Sequence, residues 1–467
     1  MRIVFMAIVN TSVNTLILLL LSLTSLQAFA AYQLPEYEKL TLDNGLTLYL
    51  MSQREVPLID VSLVVKTGAV NDGEQAGLTR LTTENIAMGS RALSKSQLEN
   101  KLDFIGADLY NTTNLEFSQL GASFASKDKE LVLTLLRDLA VSPRFDSQEF
   151  DRFKKRHLLE IEQNKESPKS VIDFYFNQLL FGPSGYGANA MGNAASISAI
   201  TLADIKAYHH KWYQPKNAAL IVVGDFTAED MKKQLTGLFS RWKNHSPVPT
   251  TTGTGEKTLT GSKVLLVNKE DAIESTFLIG GKGISRSNPD RVGISVINTI
   301  LGGRFTSWLN DELRVNAGLT YGAGSSFTSY SKDGKFTIAT FTKTETTEEA
   351  MDLALKTYRR LWQQGIDEAT LASAKAYVKG QFPPKFETSS QLANLLVNMY
   401  GYGFDENYIN RFEHQVNSLT LAKTRQLINK YFPRENLQFV VIGKADKIRD
   451  KLAKYGPVTE VDIKDSE

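Results

Sequence analysis

The chain contains no cysteine, only five histidines and almost no excess charge. Without cysteine, neither disulfide bonds nor lipid anchoring at a cysteine can form. Lys and Arg number 53 and Asp and Glu 51, the two signs are interspersed, and the formal net charge is +2. Because there is no basic stripe and no pairing of aromatic residues with arginines, nucleic acid is not expected as a partner.

The first 30 residues are typical of an export signal. Arg2 is the only charge before the apolar run Leu16 to Leu23, and Ala28-Phe29-Ala30 fits the small-x-small cleavage rule. The apolar run is too short for a spanning helix. We predict cleavage after Ala30 and a mature periplasmic protein with no membrane anchor, since a disulfide-free exported chain of this size suits that compartment. A retained N-terminal anchor is the alternative.

An internal repeat defines the domain organisation. One copy begins at Thr201 and ends at Gly224, and the other begins at Thr420 and ends at Gly443, with the same spacing from a Thr-Leu start through an aromatic-Pro turn to an apolar strand. A repeat with copies this far apart indicates a duplicated domain. We predict a leader (1–30), an N-terminal domain (31–245), a linker rich in Pro, Thr and Gly (246–258) and a C-terminal domain (259–467).

Within each half, strand patterns precede helix patterns. Strands are predicted at Leu46–Met51, Leu58–Val65, twice within Gly106–Ala125, and at the corresponding positions of the second half. Helical spacing follows at Lys129–Leu139 and Ser147–Asn164. We therefore predict an α+β fold of two tandem homologous domains. Each is a mostly antiparallel sheet with helices on one face, and the two enclose a cleft.

The segment Gly77 to Ser90 is predicted to be a helix that ends at Gly89 and follows a strand. It resembles the zinc-binding helix of the pitrilysin/insulysin-type peptidases, in the branch of the mitochondrial processing peptidase. The resemblance covers nearly all of residues 32–467. In that family an H-x-x-E-H motif places two imidazoles at i and i+4 to hold zinc, with the glutamate as general base. Here those three positions are Arg80, Thr83 and Glu84.

These three residues do not suit zinc. Arg80 places a permanent cation where the metal would sit, and Thr83 has no usable basicity near neutral pH. Glu84 alone cannot form a site. We predict that the degenerate motif binds no metal and that Arg80 and Glu84 form an i,i+4 ion pair on the helix surface.

Other candidate ligands are isolated. The family's third ligand falls on or beside Leu159, where Glu160 or Glu162 could substitute, and we predict that these acids are solvated. His157 and Glu160 have H-x-x-E spacing, but His157 is expected on the helix surface. His209 and His210 face different sides of a helix, and His245 and His414 are expected to be isolated.

The second half matches the family's C-terminal signature from Gly302 to Tyr321. In that family an arginine, followed seven residues later by a tyrosine, reaches the zinc site of the opposite domain. The resemblance assigns these catalytic positions to Arg314 and Tyr321. It implies that Arg314 grips a substrate carbonyl and that Tyr321 faces the oxyanion, roles that suit a planar cationic fork and a neutral phenol. The alternative is that both merely pack.

The resemblance thus implies half of an active site. The branch includes heterodimers in which one subunit lacks zinc, and in some bacterial pairs that subunit contributes the arginine and tyrosine. We predict a non-zinc subunit of a periplasmic heterodimeric metalloendopeptidase, catalytically incomplete alone, with zinc only in a homologous partner subunit. Its substrate would be a peptide or unfolded protein, bound as an added strand. The alternatives are a non-catalytic scaffold or peptide-binding protein of this fold, and a self-sufficient enzyme with other ligands.

Overall fold

The computed structural model describes residues 32–248 and 259–464. The predicted leader (1–30) and most of the predicted linker (249–258) lie outside the described residues. Two six-stranded sheets form the frame of the fold, one in each half of the chain.

The first sheet has the strand order β1-β2-β6-β3-β5-β4. Neighbouring strands are antiparallel except β2 and β6. All residues of β6, the sequence AALIVVG, are buried, as expected for a strand covered on both faces. The strands are β1 (Glu38–Thr41), β2 (Thr47–Ser52), β3 (Leu58–Val65), β4 (Asp108–Thr113), β5 (Ser118–Ala125) and β6 (Ala218–Gly224).

The second sheet repeats this arrangement in the order β12-β7-β11-β8-β10-β9. Here β7 is parallel to both β11 and β12, and the other neighbours are antiparallel. The central β11 corresponds to β6. The strands are β7 (Lys263–Asn268), β8 (Glu274–Lys282), β9 (Ala323–Ser329), β10 (Gly334–Lys343), β11 (Gln438–Gly443) and β12 (Val458–Asp462).

Helices account for most of the remaining chain. In the first half they are α1 (Leu78–Ile86), α2 (Lys95–Ile105), α3 (Lys129–Val141), α4 (Ser147–Lys165), α5 (Pro168–Phe181), α6 (Ala194–Ala199), α7 (Leu202–Trp212) and α8 (Ala228–Phe239). In the second half they are α9 (Arg291–Leu301), α10 (Trp308–Asn310), α11 (Thr347–Gln363), α12 (Glu368–Gly380), α13 (Ser389–Tyr402), α14 (Asn407–Asn410), α15 (Phe412–Asn417), α16 (Leu421–Tyr431) and α17 (Ala445–Leu452). A π-helical turn (Asp311–Asn316) continues α10.

The predicted repeat is confirmed by a matching helix–strand unit in each half. Thr201 caps α7 by accepting a hydrogen bond from the Asp204 amide at 3.3 Å, and Thr420 caps α16 in the same way from Lys423 at 3.2 Å. Each helix leads into the central strand of its sheet. The prediction of two homologous α+β domains is therefore correct.

Each sheet is also covered by a helix from the opposite half, which the sequence patterns did not predict. Helix α13 of the second half packs on β3 and β6, and helix α5 of the first half packs on β8 and β11. Leu392, Leu396 and Met399 join the apolar residues of the first sheet in one buried cluster. A Cβ atom at Gly401 would lie 2.5 Å from the Phe117 ring, so α13 needs glycine at this close approach.

Glu116 ties the two halves together by polar contacts. Its carboxylate accepts a hydrogen bond from the Ser331 amide at 3.0 Å and from the Tyr186 hydroxyl at 2.9 Å. The Tyr186 ring stacks on Tyr330 with centroids 4.4 Å apart. Together with α5 and α13, which each pack on the sheet of the opposite half, these contacts join the two halves of the chain.

Candidate functional site

Helix α1 is held at its N-terminus by a buried carboxylate. Asp72 accepts hydrogen bonds from the amides of Gly77 at 2.8 Å and Thr79 at 2.9 Å, which satisfies N–H groups that have no partner within the helix. Burial raises the pKa of Asp72 to about 7, against the lowering effect of these bonds. Gly77 has φ +90°, and a Cβ atom there would lie 2.6 Å from Ile197, so only glycine fits this turn.

The three degenerate-motif residues each have a partner from another part of the fold. The Arg80 guanidinium lies 3.4 Å from Glu160 Oε1 on α4. Thr83 is buried, and its hydroxyl lies 3.0 Å from the Tyr213 hydroxyl. Glu84 accepts a long hydrogen bond of 3.5 Å from Asn111 on the edge strand β4. The predicted Arg80–Glu84 ion pair is therefore wrong, because the carboxylate of a neighbouring helix is the partner of Arg80.

Glu160 is partly solvated, with 44% of its side chain exposed, but it also has partners that the sequence does not predict. Besides Arg80, it contacts His157 Nδ1 at 3.0 Å, while His157 Nε2 lies 2.8 Å from the Met191 carbonyl. His157 is 0% exposed and stacks on Phe153, so its expected place on the helix surface is also wrong. Leu159 is exposed. The carboxylate thus links Arg80 of α1 to the buried side of α4.

This set of residues does not fit a zinc ion. Zinc requires neutral imidazole, thiolate or carboxylate ligands, whereas Arg80 directs a cation at the Glu160 carboxylate, and the Glu84 carboxylate contacts Asn111. Across residues 32–248 and 259–464, no group of three His, Cys, Asp or Glu side chains is placed to hold a metal ion. At the degenerate motif, Arg80 and Glu160 form an ion pair instead.

Of the remaining histidines only His209 is largely enclosed, and His210, His245 and His414 are exposed. His209 lies 2.8 Å from the Ala140 carbonyl, and burial lowers its pKa to about 4. His210 stacks on His245 with centroids 4.2 Å apart, which corrects the expectation that His245 is isolated. The stacked pair has no third ligand among the described residues.

Arg314 and Tyr321 lie on the surface of the second half. Arg314 belongs to the π-helical turn, a feature often found at functional sites, and its guanidinium stacks 4.4 Å from the Phe305 ring. Tyr321 is 86% exposed. Among the described residues, no ion pair involves Arg314 and no hydrogen bond involves the Tyr321 side chain.

The backbone around Tyr321 is nevertheless anchored. The Gly322 amide donates to the Thr320 hydroxyl at 3.1 Å, and the Thr340 hydroxyl of β10 donates to the Gly322 carbonyl at 2.8 Å. The Leu319 amide donates to the Leu313 carbonyl at 2.8 Å. The tyrosine therefore projects from a loop that both neighbouring elements hold in place.

The structure does not bring the two predicted sets of site residues into contact within the chain. No hydrogen bond or ion pair between described residues joins Arg314 or Tyr321 to Arg80, Thr83 or Glu84. The sequence prediction also missed Glu160 and Asn111 as partners of the degenerate helix.

In the described part of the chain, no helix has the length and apolar character needed to cross a bilayer.

The two-domain fold, with an Arg80–Glu160 ion pair at the degenerate motif, defines the class of this protein. The family model described as insulinase (peptidase family M16) matches residues 49–182, and the model described as peptidase M16 inactive domain matches residues 199–378. The chain belongs to peptidase family M16, as its sequence motifs indicated.

Relatives in this family have different described activities. The chain is 23% identical to the non-peptidase homolog YmxG of Helicobacter pylori, over 81% of this chain and 87% of the relative. It is also 23% identical to the zinc protease PqqE of the same organism, over 85% and 91%. A crystal structure of a peptidase M16 inactive domain from Pseudomonas fluorescens has the same fold, with a TM-score of 0.81, 24% identity, and coverage of 88% of this chain and 98% of that one.

Proposed function

We propose that this chain is the zinc-free subunit of a periplasmic heterodimeric metalloendopeptidase. The partner is a homologous subunit that carries the zinc and the general base, and the substrate is a peptide or an unfolded protein segment. One asymmetry carries the proposal. Arg80 forms an ion pair where family members hold a metal, whereas Tyr321 is exposed and Arg314 stacks on Phe305 without an ion-pair partner among the described residues.

Arg314 and Tyr321 have the chemistry that a peptidase site in the partner would need. The planar guanidinium of Arg314 offers several N–H donors to a substrate carbonyl and fixes its position. The Tyr321 hydroxyl offers a neutral donor to the oxyanion that forms when a peptide carbonyl is attacked. Because the loop around Tyr321 is anchored to β10, the backbone that carries this donor is held in position before the substrate arrives.

The surface around these two residues fits contact with another molecule. Phe305 is 69% exposed and Val315 is 66% exposed, and both lie close in sequence to Arg314. Clusters of exposed aromatic and apolar residues with an arginine are typical of protein interfaces. A partner subunit that covers this patch would bring its own metal centre to Tyr321.

The edge strand β4 is the proposed site for the substrate backbone. It is the last strand of the first sheet, and Asn111 on it contacts Glu84 of the degenerate helix. An extended peptide can pair with such an open edge through main-chain hydrogen bonds. This placement supports peptide binding beside α1 even though α1 holds no metal.

The relatives support a pairing of unlike subunits. One organism contains both a relative described as a non-peptidase homolog and one described as a zinc protease, and each matches more than four fifths of this chain. The predicted leader supports export to the periplasm. The alternative function is a peptide-binding or scaffold protein without catalysis, favoured by the ion-paired centre and by the description of YmxG.

Reconstitution tests this proposal. The mature chain and a zinc-bearing homologue from the same genome are purified separately, and hydrolysis of an unstructured peptide is measured for each alone and for the mixture. The proposal expects no hydrolysis by this chain alone, formation of a one-to-one complex, and higher activity of the mixture than of the homologue alone. A complex with no gain in activity would favour the scaffold alternative.

A further inference from the structure

A pocket of about 590 Å³ lies between the two halves of the chain. Its walls come from β1 and β2 of the first sheet, from the loop before α9 and from the segment 399–415. One carboxylate, that of Asp405, lines it. Cationic side chains from both halves line it as well, namely Lys39, Lys66, Arg286, Arg291 and Arg411. The pocket is therefore strongly basic.

The nearby carboxylates are engaged with other groups. Asp405 accepts hydrogen bonds from the Asn407 amide at 3.0 Å and from the Asn407 side chain at 3.2 Å. Asp290, at the start of α9, lies 2.9 Å from the Lys423 ammonium and accepts from the Tyr431 hydroxyl at 2.9 Å. Among the described residues, no ion pair involves any of the five cations that line the pocket. Their charge is available to a bound anion.

Aromatic rings, instead of carboxylates, orient these cations. The Lys66 ammonium lies 4.4 Å from the centre of the Tyr400 ring, and the Arg291 guanidinium lies 3.1 Å from that of Tyr408. The buried Nε of Arg286 has no hydrogen-bond partner. Contact with a ring holds a cation in place but does not neutralise its charge. The pocket thus offers preorganised cationic donors.

The cations lie close enough to repel one another. Partial burial lowers the pKa of Lys66, and the nearby Lys39 lowers it further. Burial also lowers the pKa of Arg291 to about 10, and the neighbouring Arg286 adds to this effect. All four side chains still carry charge at neutral pH. Like charges in a site that is partly shielded from water are unfavourable, so an anion among them would stabilise the folded chain.

The N-terminus of α9 adds to the positive potential. Arg291 is the first residue of this helix, and the preceding Ser287, Asn288 and Pro289 line the pocket. Because the N-terminus of a helix carries partial positive charge, it favours an anion at this end.

We propose that this pocket binds a compact anion that carries two or more phosphate or carboxylate groups. The anion contacts the lysines of the first half and the arginines of the second half, and so bridges the two halves. Guanidinium groups pair with the oxygens of phosphate and carboxylate in the same geometry. The volume lies within the range of small-molecule sites.

This inference does not depend on the proposed catalytic role. No residue of the degenerate motif lines the pocket, and neither Arg314 nor Tyr321 does. The site is formed within one chain, so it needs no partner subunit.

Isothermal titration calorimetry of the purified mature chain tests the proposal. The probes are pyrophosphate and citrate, with sulfate for comparison, at constant ionic strength in buffer free of divalent metals. Pyrophosphate or citrate is expected to bind one-to-one and at least about tenfold more tightly than sulfate, since more charged hydrogen bonds form. The probe that binds more tightly identifies the ligand as a phosphate or a carboxylate. Binding should weaken as sodium chloride is raised.

Variants from each half locate the bound anion. Lys66→Gln removes a charge of the first half, and Arg411→Gln removes one of the second. Both side chains are accessible to solvent, so neither change should affect folding. Each is expected to weaken binding several-fold. The matched control is Lys233→Gln, which changes an exposed lysine of α8 outside the pocket and should leave binding unchanged.

Two results would overturn the proposal. One is the absence of one-to-one binding for both pyrophosphate and citrate. The other is wild-type affinity in both the Lys66 and the Arg411 variants, because the anion would then lie elsewhere.

Discussion

Arg80 on α1 and Glu160 on α4 form an ion pair, with a guanidinium nitrogen 3.4 Å from the carboxylate. The same carboxylate contacts the fully buried His157, so a cation supplied by the chain itself links the two helices. By the resemblance of the sequence to zinc peptidases, a metal ion would have that place.

The first prediction concerns the relative positions of helices α1 and α4. In Arg80→His with Glu84→His, two imidazoles would stand at i and i+4 on one helix face, opposite Glu160. This set of ligands should hold about one zinc ion per chain. Elemental analysis after dialysis measures it, with the wild-type chain expected to retain none. Adding Glu160→Gln should lower the zinc content of the double variant. Absence of zinc in the double variant would show that α1 and α4 are not positioned for metal.

The second prediction concerns the pH dependence of stability. Burial raises the pKa of Asp72 from 3.8 to about 7, so the folded chain binds this proton more tightly than the unfolded chain. Its contribution to the free energy of unfolding is fully present below pH 3.8 and is lost as the pH rises through 7. Asp72→Asn should therefore show a flatter stability profile in urea unfolding from pH 5 to 8.

A matched control for this experiment is Asp103→Asn, which changes an exposed acid on α2. Its profile should run parallel to that of the wild type. If the Asp72 variant is also parallel to the wild type, the buried carboxylate does not titrate in this range.

The third prediction concerns export. The mature chain should begin at Ala31, because Ala28-Phe29-Ala30 matches a signal cleavage site. Intact-mass measurement of the exported protein tests this directly, and fractionation should place the protein in the soluble periplasm. Recovery of the chain with residues 1–30 attached would instead indicate a retained anchor.

Much of the fold could be predicted from periodicity. The predicted strand Leu58–Val65 agrees with β3, and the predicted helix Ser147–Asn164 agrees with α4 to within one residue. Local apolar spacing is sufficient for elements that pack within their own half. The exchange of α5 and α13 between halves could not be predicted in this way, because a helix shows which of its faces is apolar but not which sheet covers it.

Only part of the site could be predicted, because the sequence pattern of one helix does not show which residues of other helices it contacts. The i,i+4 rule places Arg80 and Glu84 on one helix face, but it cannot identify a competing carboxylate on another helix. Glu160 was considered as a substitute ligand, and only the packing of α1 near α4 makes it the partner of Arg80. His157 was expected on the surface, although its i,i+4 spacing from Phe153 and Ile161 places it on the apolar face of α4, where it contacts the Met191 carbonyl.

The fourth prediction separates substrate binding by Arg314 from transition-state stabilisation by Tyr321. Arg314→Ala should raise the KM of the reconstituted complex more than it lowers kcat, because the guanidinium binds the substrate carbonyl in both the ground state and the transition state. Steady-state kinetics on an unstructured peptide measures both constants. Arg304→Ala is a suitable control, since this arginine is engaged with Ser373 at 3.0 Å. A fall in kcat with unchanged KM would assign Arg314 to the transition state instead.

The central claim is that this chain completes a peptidase site in its partner, and Tyr321→Phe tests it most directly. Removing one hydroxyl from a side chain that is 86% exposed should affect neither folding nor assembly. Loss of an oxyanion donor should lower kcat of the complex on the order of 100-fold, or roughly 3 kcal/mol. The measurement compares turnover by complexes of equal zinc content and equal subunit ratio. A complex of the Tyr321→Phe chain that cleaves at the wild-type rate would contradict the account.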